Sequence, residues 1–153
     1  MGVLTIGFKG RSAEDFFTTL KHAVVQKITD VRRKNRSQLA GYTKRPDLIF
    51  FLKECFSIAN EHVPDFGPSE QLIKEYQNRL GKKKKDDVAC NYYLVKYQNE
   101  VLSQPTIDRF KQTNKEFTTM CLLCSEKTAD RCHRLLLTEY FTEHIPNIKV
   151  EHI

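Results

Sequence analysis

The chain has 153 residues, of which 40% are hydrophobic and 29% charged, and its formal net charge at pH 7 is +6. This length and composition predict one globular, soluble domain with a core of its own. No apolar run reaches the ~18 residues of a membrane-spanning helix, and residues 1–10 lack the pattern of a signal peptide. The basic balance favours an anionic small molecule or nucleic acid as partner.

The five cysteines are an odd number, which excludes a complete disulfide framework. Reduced thiols are the default in such a chain, and we expect a cytoplasmic location. Neither composition nor cysteine count indicates an oligomeric state.

The first thirty residues predict a strand, a helix and a second strand. Residues 3–7 are apolar and β-prone and end in a glycine. Ser12 followed by Asp15 resembles a capping box, and helical spacing of apolar residues continues to about Val25. Residues 28–31 then read as a second strand. This βαβ order is typical of a parallel sheet.

The rest of the chain continues the alternation of helices and strands. The whole predicts a single α/β domain over residues 1–153, with a mostly parallel central sheet of about five strands flanked by helices. A helical, lysine-rich insertion is expected at about 69–115. The further segments are a loop at 34–45, a helix from Pro46, a weak strand at 58–63, helices at 69–80, 88–102 and 106–113, a buried strand at 117–124, a helix at about 130–144 and a strand at 148–153.

Reactive and cationic residues follow three of the predicted strands. Ligands of parallel α/β proteins bind beyond the carboxyl ends of the strands, so these residues are expected to converge. The residues assigned to anion or substrate binding are Gly7, Lys9, Arg11, Asp30, Arg32, Arg33 and Arg134.

The candidate catalytic residues are Cys124, Glu126, Cys132 and His133. A cysteine beside a helix N-terminus and nearby cations has a lowered pKa and is more nucleophilic. His133 could accept its proton, and Glu126 could orient the histidine or act as a base. The alternative is that both cysteines belong to the core.

A zinc site is a second interpretation of the same segment, because Cys121 and Cys124 have two-residue spacing and Cys132 and His133 follow. Geometry argues against it. Residues three apart on a strand point to opposite faces, and neighbours on a helix diverge by about 100°. We therefore expect no metal and no required cofactor, and we expect core positions for Cys121, Cys55 and Cys90.

Arg32 and Arg33 follow a strand that carries Asp30, and arginines at a strand end can clamp a carboxylate or phosphate. The alternative is that Asp30 pairs with one of them and the pair only orders the loop.

Seven segments share a pattern with one known family: Thr5-Ile6-Gly7 with Arg11, Ser12 and Phe16, then Asp30-Val31-Arg32, Ser37-Gln38-Leu39-Ala40-Gly41, His62-Val63-Pro64, Leu122-Leu123-Cys124-Ser125-Glu126, Cys132-His133-Arg134 and His152-Ile153. Together they resemble the domain-of-unknown-function 488 family over essentially the whole chain. The resemblance implies a compact α/β fold and a small cytoplasmic bacterial or archaeal protein, without implying a particular reaction. Family members often carry His-Ser where this chain has Phe8 and Lys9, so no role of that pair transfers.

Three functions are compatible with these residues. The favoured hypothesis is an enzyme acting on a phosphorylated, nucleotide or nucleic-acid substrate through the Cys/Glu/His/Arg set. The second is a non-catalytic nucleic-acid-binding module, motivated by the positive charge. The third is a thiol redox or sensor protein, in which Cys124 and Cys132 come close enough to bridge.

Overall fold

A five-stranded parallel sheet forms the centre of the molecule, in the order β3-β2-β4-β1-β5. The computed structural model describes residues 1–36 and 40–153. The predicted single α/β domain with a mostly parallel sheet is confirmed. The strands are β1 (Gly2–Gly7), β2 (Lys27–Asp30), β3 (Ala59–His62), β4 (Thr119–Cys124) and β5 (Lys149–His152).

Helices connect the strands, and two of them begin at serine residues that act as N-caps. Ser12 accepts a hydrogen bond from the backbone N–H of Asp15, and Ser69 accepts one from Leu72. The helices are α1 (Ala13–His22), α2 (Arg45–Phe50), which continues as a π-helical turn (Phe51–Cys55), α3 (Glu70–Leu80), α4 (Asp87–Val101), α5 (Gln104–Asn114) and α6 (His133–His144).

One helix boundary differs from the prediction in a way that matters for the site. Helix α6 begins at His133 rather than near Asp130, and Cys132 is its extended N-cap residue, with φ −116° and ψ 139°. Residues 125–131 form a loop instead of a helical turn, because the side chain of Arg134 binds backbone carbonyls of that loop.

The sheet separates two apolar layers. Leu4, Ile6, Cys121 and Leu123 face the layer that contains α1, whereas Met120, Leu122 and Cys124 face the layer that contains α6. Alternation along a strand produces this division, and β4 is buried on both faces. Cys121 and Cys124 therefore lie on opposite sides of the sheet, as the sequence predicts. Cys90 is buried as expected, whereas the expected core position of Cys55 is wrong, because this residue ends the π-helical turn at an exposed position.

The connections after β1 and β4 leave the sheet on opposite faces. The chain runs from β1 through α1 to β2 on one side, and from β4 through α6 to β5 on the other. Because β1 and β4 are neighbours, their carboxyl ends form the topological switch point, where ligands of such sheets bind.

The predicted loop at 34–45 and the segment Ser37–Gly41 lie partly outside the described residues, which omit 37–39. The described part of this region includes a short 3₁₀ turn, Gly41–Thr43. Among the described residues, no helix is both long enough and apolar enough to cross a membrane.

Candidate functional site

The switch point is defined by Gly7 and Cys124, which are register partners at the ends of β1 and β4. A Cβ added to Gly7 would lie 1.6 Å from the carbonyl oxygen of Glu126. Only glycine allows the loop after β4 to cross the end of β1 this closely. Backbone hydrogen bonds from Phe8 to Cys124 and from Lys9 to Ser125 join the two loops.

Two cysteine sulfurs meet beneath this loop. The Sγ atoms of Cys124 and Cys132 are 3.2 Å apart, with Cys132 donating, and the residues are 4% and 3% exposed. The end of β4 directs Cys124 into the α6 layer, and the extended backbone of Cys132 turns its side chain toward Cys124 instead of along the helix.

His133 lies against both sulfurs. Its Nδ1 is 3.9 Å from each Sγ, and its Nε2 is 3.8 Å from the Sγ of Cys124. The hydroxyl of Tyr93 is 3.2 Å from Nδ1, and the ring centroid of Tyr97 is 5.1 Å from the imidazole centroid. Helix α4 therefore encloses the histidine on the side away from the sheet.

Arg134 ties the loop to the helix. Its side chain is almost completely buried, and its Nη1 donates to the carbonyl of Glu126, while its Nη2 donates to that of Lys127 at 3.2 Å. Nη1 also lies 3.7 Å from the Sγ of Cys132. Within the described chain its Nε has no hydrogen-bond partner. The guanidinium thus brings a fixed positive charge to the cysteine pair.

The two thiols have opposite pKa shifts. Donation of a hydrogen bond by Cys132, followed by the charges of His133 and Arg134, holds the pKa of Cys124 well below its ordinary value despite burial. The hydrogen bond that Cys132 donates, its burial and the negative charge of Cys124 raise the pKa of Cys132. The pair therefore favours a thiolate at Cys124 and a thiol at Cys132.

Comparison with known protein families identifies one match. The family described as "Domain of unknown function DUF488" matches residues 12–141. The chain belongs to the DUF488 family. No curated protein and no solved structure matches the chain.

The DUF488 match includes both cysteines, His133 and Arg134, and confirms the resemblance seen in the sequence. It begins at Ser12, so β1 and its terminal Gly7 precede the matched span, and β5 follows it. Both strands nevertheless belong to the same sheet as β4.

Two tyrosines of α4 complete the site, although no motif in the sequence marks them. Tyr93 and Tyr97 are four residues apart and so lie on one helix face, which is the only sequence signal they offer. Their hydroxyl groups contact His133 and the carbonyl of Phe66, and burial raises the pKa of both. Helix α4, which lies between β3 and β4 in the chain, therefore contributes to the site.

The structure does not bring the carboxylate of Glu126 to the sulfurs. It lies at the surface beside Lys9, with 3.1 Å between Lys9 Nζ and Glu126 Oε1. The side chains are 60% and 51% exposed, whereas the cysteines are buried. Glu126 contributes its backbone carbonyl to the site, through the bond to Arg134. Its assignment as a base and that of Lys9 as an anion ligand stay predictions.

The guanidinium groups of Arg11 and Arg33 donate hydrogen bonds to oxygen atoms of the protein. Arg11 Nε donates to the carbonyl of Gly7 at 3.1 Å, and its Nη1 donates to Asp15 at 2.9 Å. Arg33 donates to the carbonyls of Pro68 and Gly67. These contacts order the segments that follow β1 and β2.

Asp30 and Arg32 form a buried, bidentate ion pair. Arg32 Nε and Nη2 donate to the two carboxylate oxygens of Asp30 at 2.8 and 2.7 Å. Nη2 also donates to the carbonyl of Thr43, and Nη1 donates to its hydroxyl. The Phe8 ring lies 5.1 Å from the guanidinium. This is the loop-ordering alternative considered above, and anion binding by Arg32 and Arg33 stays a prediction.

A cavity of about 280 Å³ lies beside Asp30, at the ends of β2 and β3. Asn35, Arg45 and His62 contribute polar groups to its lining. His62 Nε2 hydrogen-bonds the carbonyl of Arg32 at 2.7 Å, and Asn35 donates to Asp30. His62 and Asn35 are thus held by hydrogen bonds to neighbouring groups of the protein.

The expected divergence of Cys132 and His133 is wrong. Cys132 precedes α6, so the 100° rotation between neighbouring helical residues does not separate these two side chains. The sulfurs of Cys124 and Cys132 and a ring nitrogen of His133 all lie within 4.8 Å of one another. This set could hold a metal ion, whereas Cys121 lies across the sheet.

Proposed function

We propose that this DUF488 protein is a thiol–disulfide redox protein, in which Cys124 and Cys132 alternate between a dithiol and a disulfide. The observation that carries the proposal is the 3.2 Å separation of the two sulfurs. A disulfide bond is ~2.05 Å long, so closure requires an approach of only about 1 Å.

Burial of both cysteines favours a small oxidant, and we assign this role to a peroxide. The Cys124 thiolate attacks one peroxide oxygen, the O–O bond breaks, and the departing oxygen leaves as water after taking up a proton. Cys124 is then a sulfenic acid. The sulfur of Cys132 attacks it, the S–O bond breaks, and the hydroxide takes the Cys132 proton. In sum, two thiols and one peroxide give one disulfide and two waters.

The surrounding residues support each part of this reaction. The hydrogen bond from Cys132 and the charge of Arg134 favour the attacking thiolate, and Cys132 is already positioned as the resolving thiol. A cytoplasmic location is part of the proposal, because thiol reductants there would return the disulfide to the dithiol.

The anionic-substrate hypothesis receives less support from the same geometry. Arg32 and Arg33 donate to protein oxygens, and the carboxylate of Glu126 points to the surface. The dithiol proposal uses only groups that lie in contact with one another.

The test is oxidation of the reduced, folded protein with substoichiometric hydrogen peroxide, followed by alkylation and peptide mass spectrometry. We expect a disulfide between the Cys124 and Cys132 peptides and reversal by dithiothreitol. In Cys132→Ser the reaction should stop at a sulfenic acid on Cys124, which dimedone traps. Cys90→Ser replaces a buried thiol outside the pair and is the matched control.

Two results would overturn the proposal. One is native protein that loses no thiols at Cys124 and Cys132 under peroxide while the exposed Cys55 is oxidised. The other is equal loss of disulfide formation in Cys90→Ser and Cys132→Ser.

A further inference from the structure

We propose that the reduced protein binds one Zn²⁺ ion through the Sγ atoms of Cys124 and Cys132 and the Nδ1 atom of His133. The inference rests on the positions of these three atoms and does not require the redox function. It assigns a metal site to a group of side chains that sequence spacing alone argues against.

The triangle formed by the three atoms has nearly the dimensions of one face of a zinc tetrahedron. With Zn–S near 2.3 Å and Zn–N near 2.05 Å, sulfurs are ~3.8 Å apart and sulfur and nitrogen ~3.5 Å apart. The observed separations are 3.2 Å between the sulfurs and 3.9 Å from Nδ1 to each of them. Each edge therefore needs an adjustment of about 0.6 Å or less.

Tyr93 is the candidate for the fourth ligand. Its hydroxyl oxygen lies 3.2 Å from Nδ1 of His133, close to the ~3.3 Å nitrogen–oxygen edge of the same tetrahedron. The hydroxyl, or a water bound to it, completes the coordination. Three protein ligands and one exchangeable position are typical of zinc sites that stay open to a further ligand.

The charges of the site balance on binding. Two thiolates neutralise Zn²⁺, so the ion does not leave an uncompensated double charge in a buried place. Arg134 Nη1, 3.7 Å from Cys132 Sγ, can donate to a bound sulfur and orient it from outside the coordination sphere. Thiolate and imidazole ligands favour Zn²⁺ over Mg²⁺ and Ca²⁺, which bind oxygen.

Metal binding and disulfide formation compete for the same sulfurs. When Zn²⁺ is bound, neither cysteine has a free thiolate that can attack an oxidant. When the disulfide has formed, the two thiolate ligands of the metal no longer exist. If the redox proposal also holds, oxidation therefore releases the metal.

The test uses Co²⁺ as a spectroscopic probe in metal-free, reduced, full-length protein. We expect one equivalent of Co²⁺ to give a sulfur-to-cobalt charge-transfer band and the visible bands of a tetrahedral site, and Zn²⁺ to displace it. Cys124→Ser, Cys132→Ser and His133→Gln should each weaken Co²⁺ binding by more than the ~10–100-fold typical of outer-shell changes. Cys90→Ser and His144→Gln are controls outside the site and should bind normally.

The proposal is overturned if Co²⁺ titration of the unsubstituted protein gives no charge-transfer band. This result does not depend on whether the variants fold. Equal loss of the band in Cys90→Ser also overturns the proposal. The two proposals remain separable, because disulfide formation without Co²⁺ binding removes only the metal site, and Co²⁺ binding without disulfide formation removes only the redox function.

Discussion

Gly7 and Cys124 are register partners at the carboxyl ends of neighbouring strands, and the carbonyl of Glu126 occupies the space where a Gly7 side chain would stand. The path of the loop over the cysteine pair therefore depends on the absence of one Cβ atom. This relationship connects β1, which precedes the family match, to the chemistry at the end of β4.

Gly7→Ala is expected to destabilise the protein and to disturb the cysteine pair. The new Cβ would lie 1.6 Å from a backbone oxygen, which no side-chain rotation relieves. We expect a loss of at least about 1–3 kcal/mol in the free energy of unfolding, measured by urea denaturation, and altered peroxide reactivity of Cys124.

Gly2→Ala is the matched control on the same strand. A Cβ at Gly2 meets its nearest neighbour, the carbonyl of Thr118, at 3.6 Å, which is ordinary van der Waals contact. Equal stability of the Gly7→Ala and Gly2→Ala proteins would contradict the close approach described above.

Asp30→Asn is expected to cost about 3–5 kcal/mol of stability, because it leaves the buried guanidinium of Arg32 without its counter-charge. Thermal or chemical unfolding measures the change. Glu54→Gln is the comparison: it breaks an ion pair between Lys53 and Glu54 whose side chains are 75% and 52% exposed, and should change stability by less than about 0.5 kcal/mol. A loss of less than about 0.5 kcal/mol in Asp30→Asn would refute a structural role for the Asp30–Arg32 pair.

Tyr93→Phe is expected to slow oxidation of Cys124 about five-fold, equivalent to ~1 kcal/mol for one buried hydrogen bond. The substitution removes the hydroxyl that holds Nδ1 of His133, which lies beside both sulfurs. Stopped-flow kinetics with peroxide provide the rate. Tyr92→Phe removes a hydroxyl of the same helix that binds Glu75 instead, and its rate should match that of the unsubstituted protein. Identical rates in both variants would exclude a positioning role for Tyr93.

His152 is expected to make the protein less stable as the pH falls. His152 is an exposed residue of β5, but partial desolvation of its ring lowers its pKa, and its Nδ1 shares a hydrogen bond of 2.6 Å with Thr5 Oγ1. The unfolded chain therefore binds the proton first, and the contribution to stability is present above the ordinary value of about 6.5 and is lost as the pH falls through the lowered pKa.

Urea denaturation between pH 8 and pH 5, compared with His152→Gln, measures this contribution. The variant should show a flatter dependence on pH in the window below about 6.5. His22→Gln, which replaces another exposed histidine at the end of α1, tests specificity. A slope that is unchanged in His152→Gln would refute the prediction.

Local patterns predict the sheet well, because a strand buried on both faces and a capped amphipathic helix have distinct signatures. The run from Met120 to Cys124 and the Ser12 cap are examples. The convergence of Cys124, Cys132 and Arg134 also follows from the rule about strand ends.

The remaining parts of the site depend on contacts that sequence spacing does not encode. The start of α6 is set by Arg134 binding the loop carbonyls, so Cys132 is extended rather than helical. Tyr93 reaches His133 only through the packing of α4 on α6, across forty positions of the chain. The carboxylate of Glu126 is drawn to Lys9 by a surface contact that spacing alone does not reveal.

The cysteines of β4 lie in different layers of the molecule. Their reactivity can therefore report local unfolding of each layer separately. Cys121 and Cys124 belong to one strand but are covered by different helices, whereas Cys55 is exposed. Pulsed labelling with a thiol reagent would measure how often local unfolding of each layer exposes its cysteine. The labelling rate of the exposed Cys55 provides the reference. The two sides of one strand can thus be compared in a single experiment, with no engineered probe.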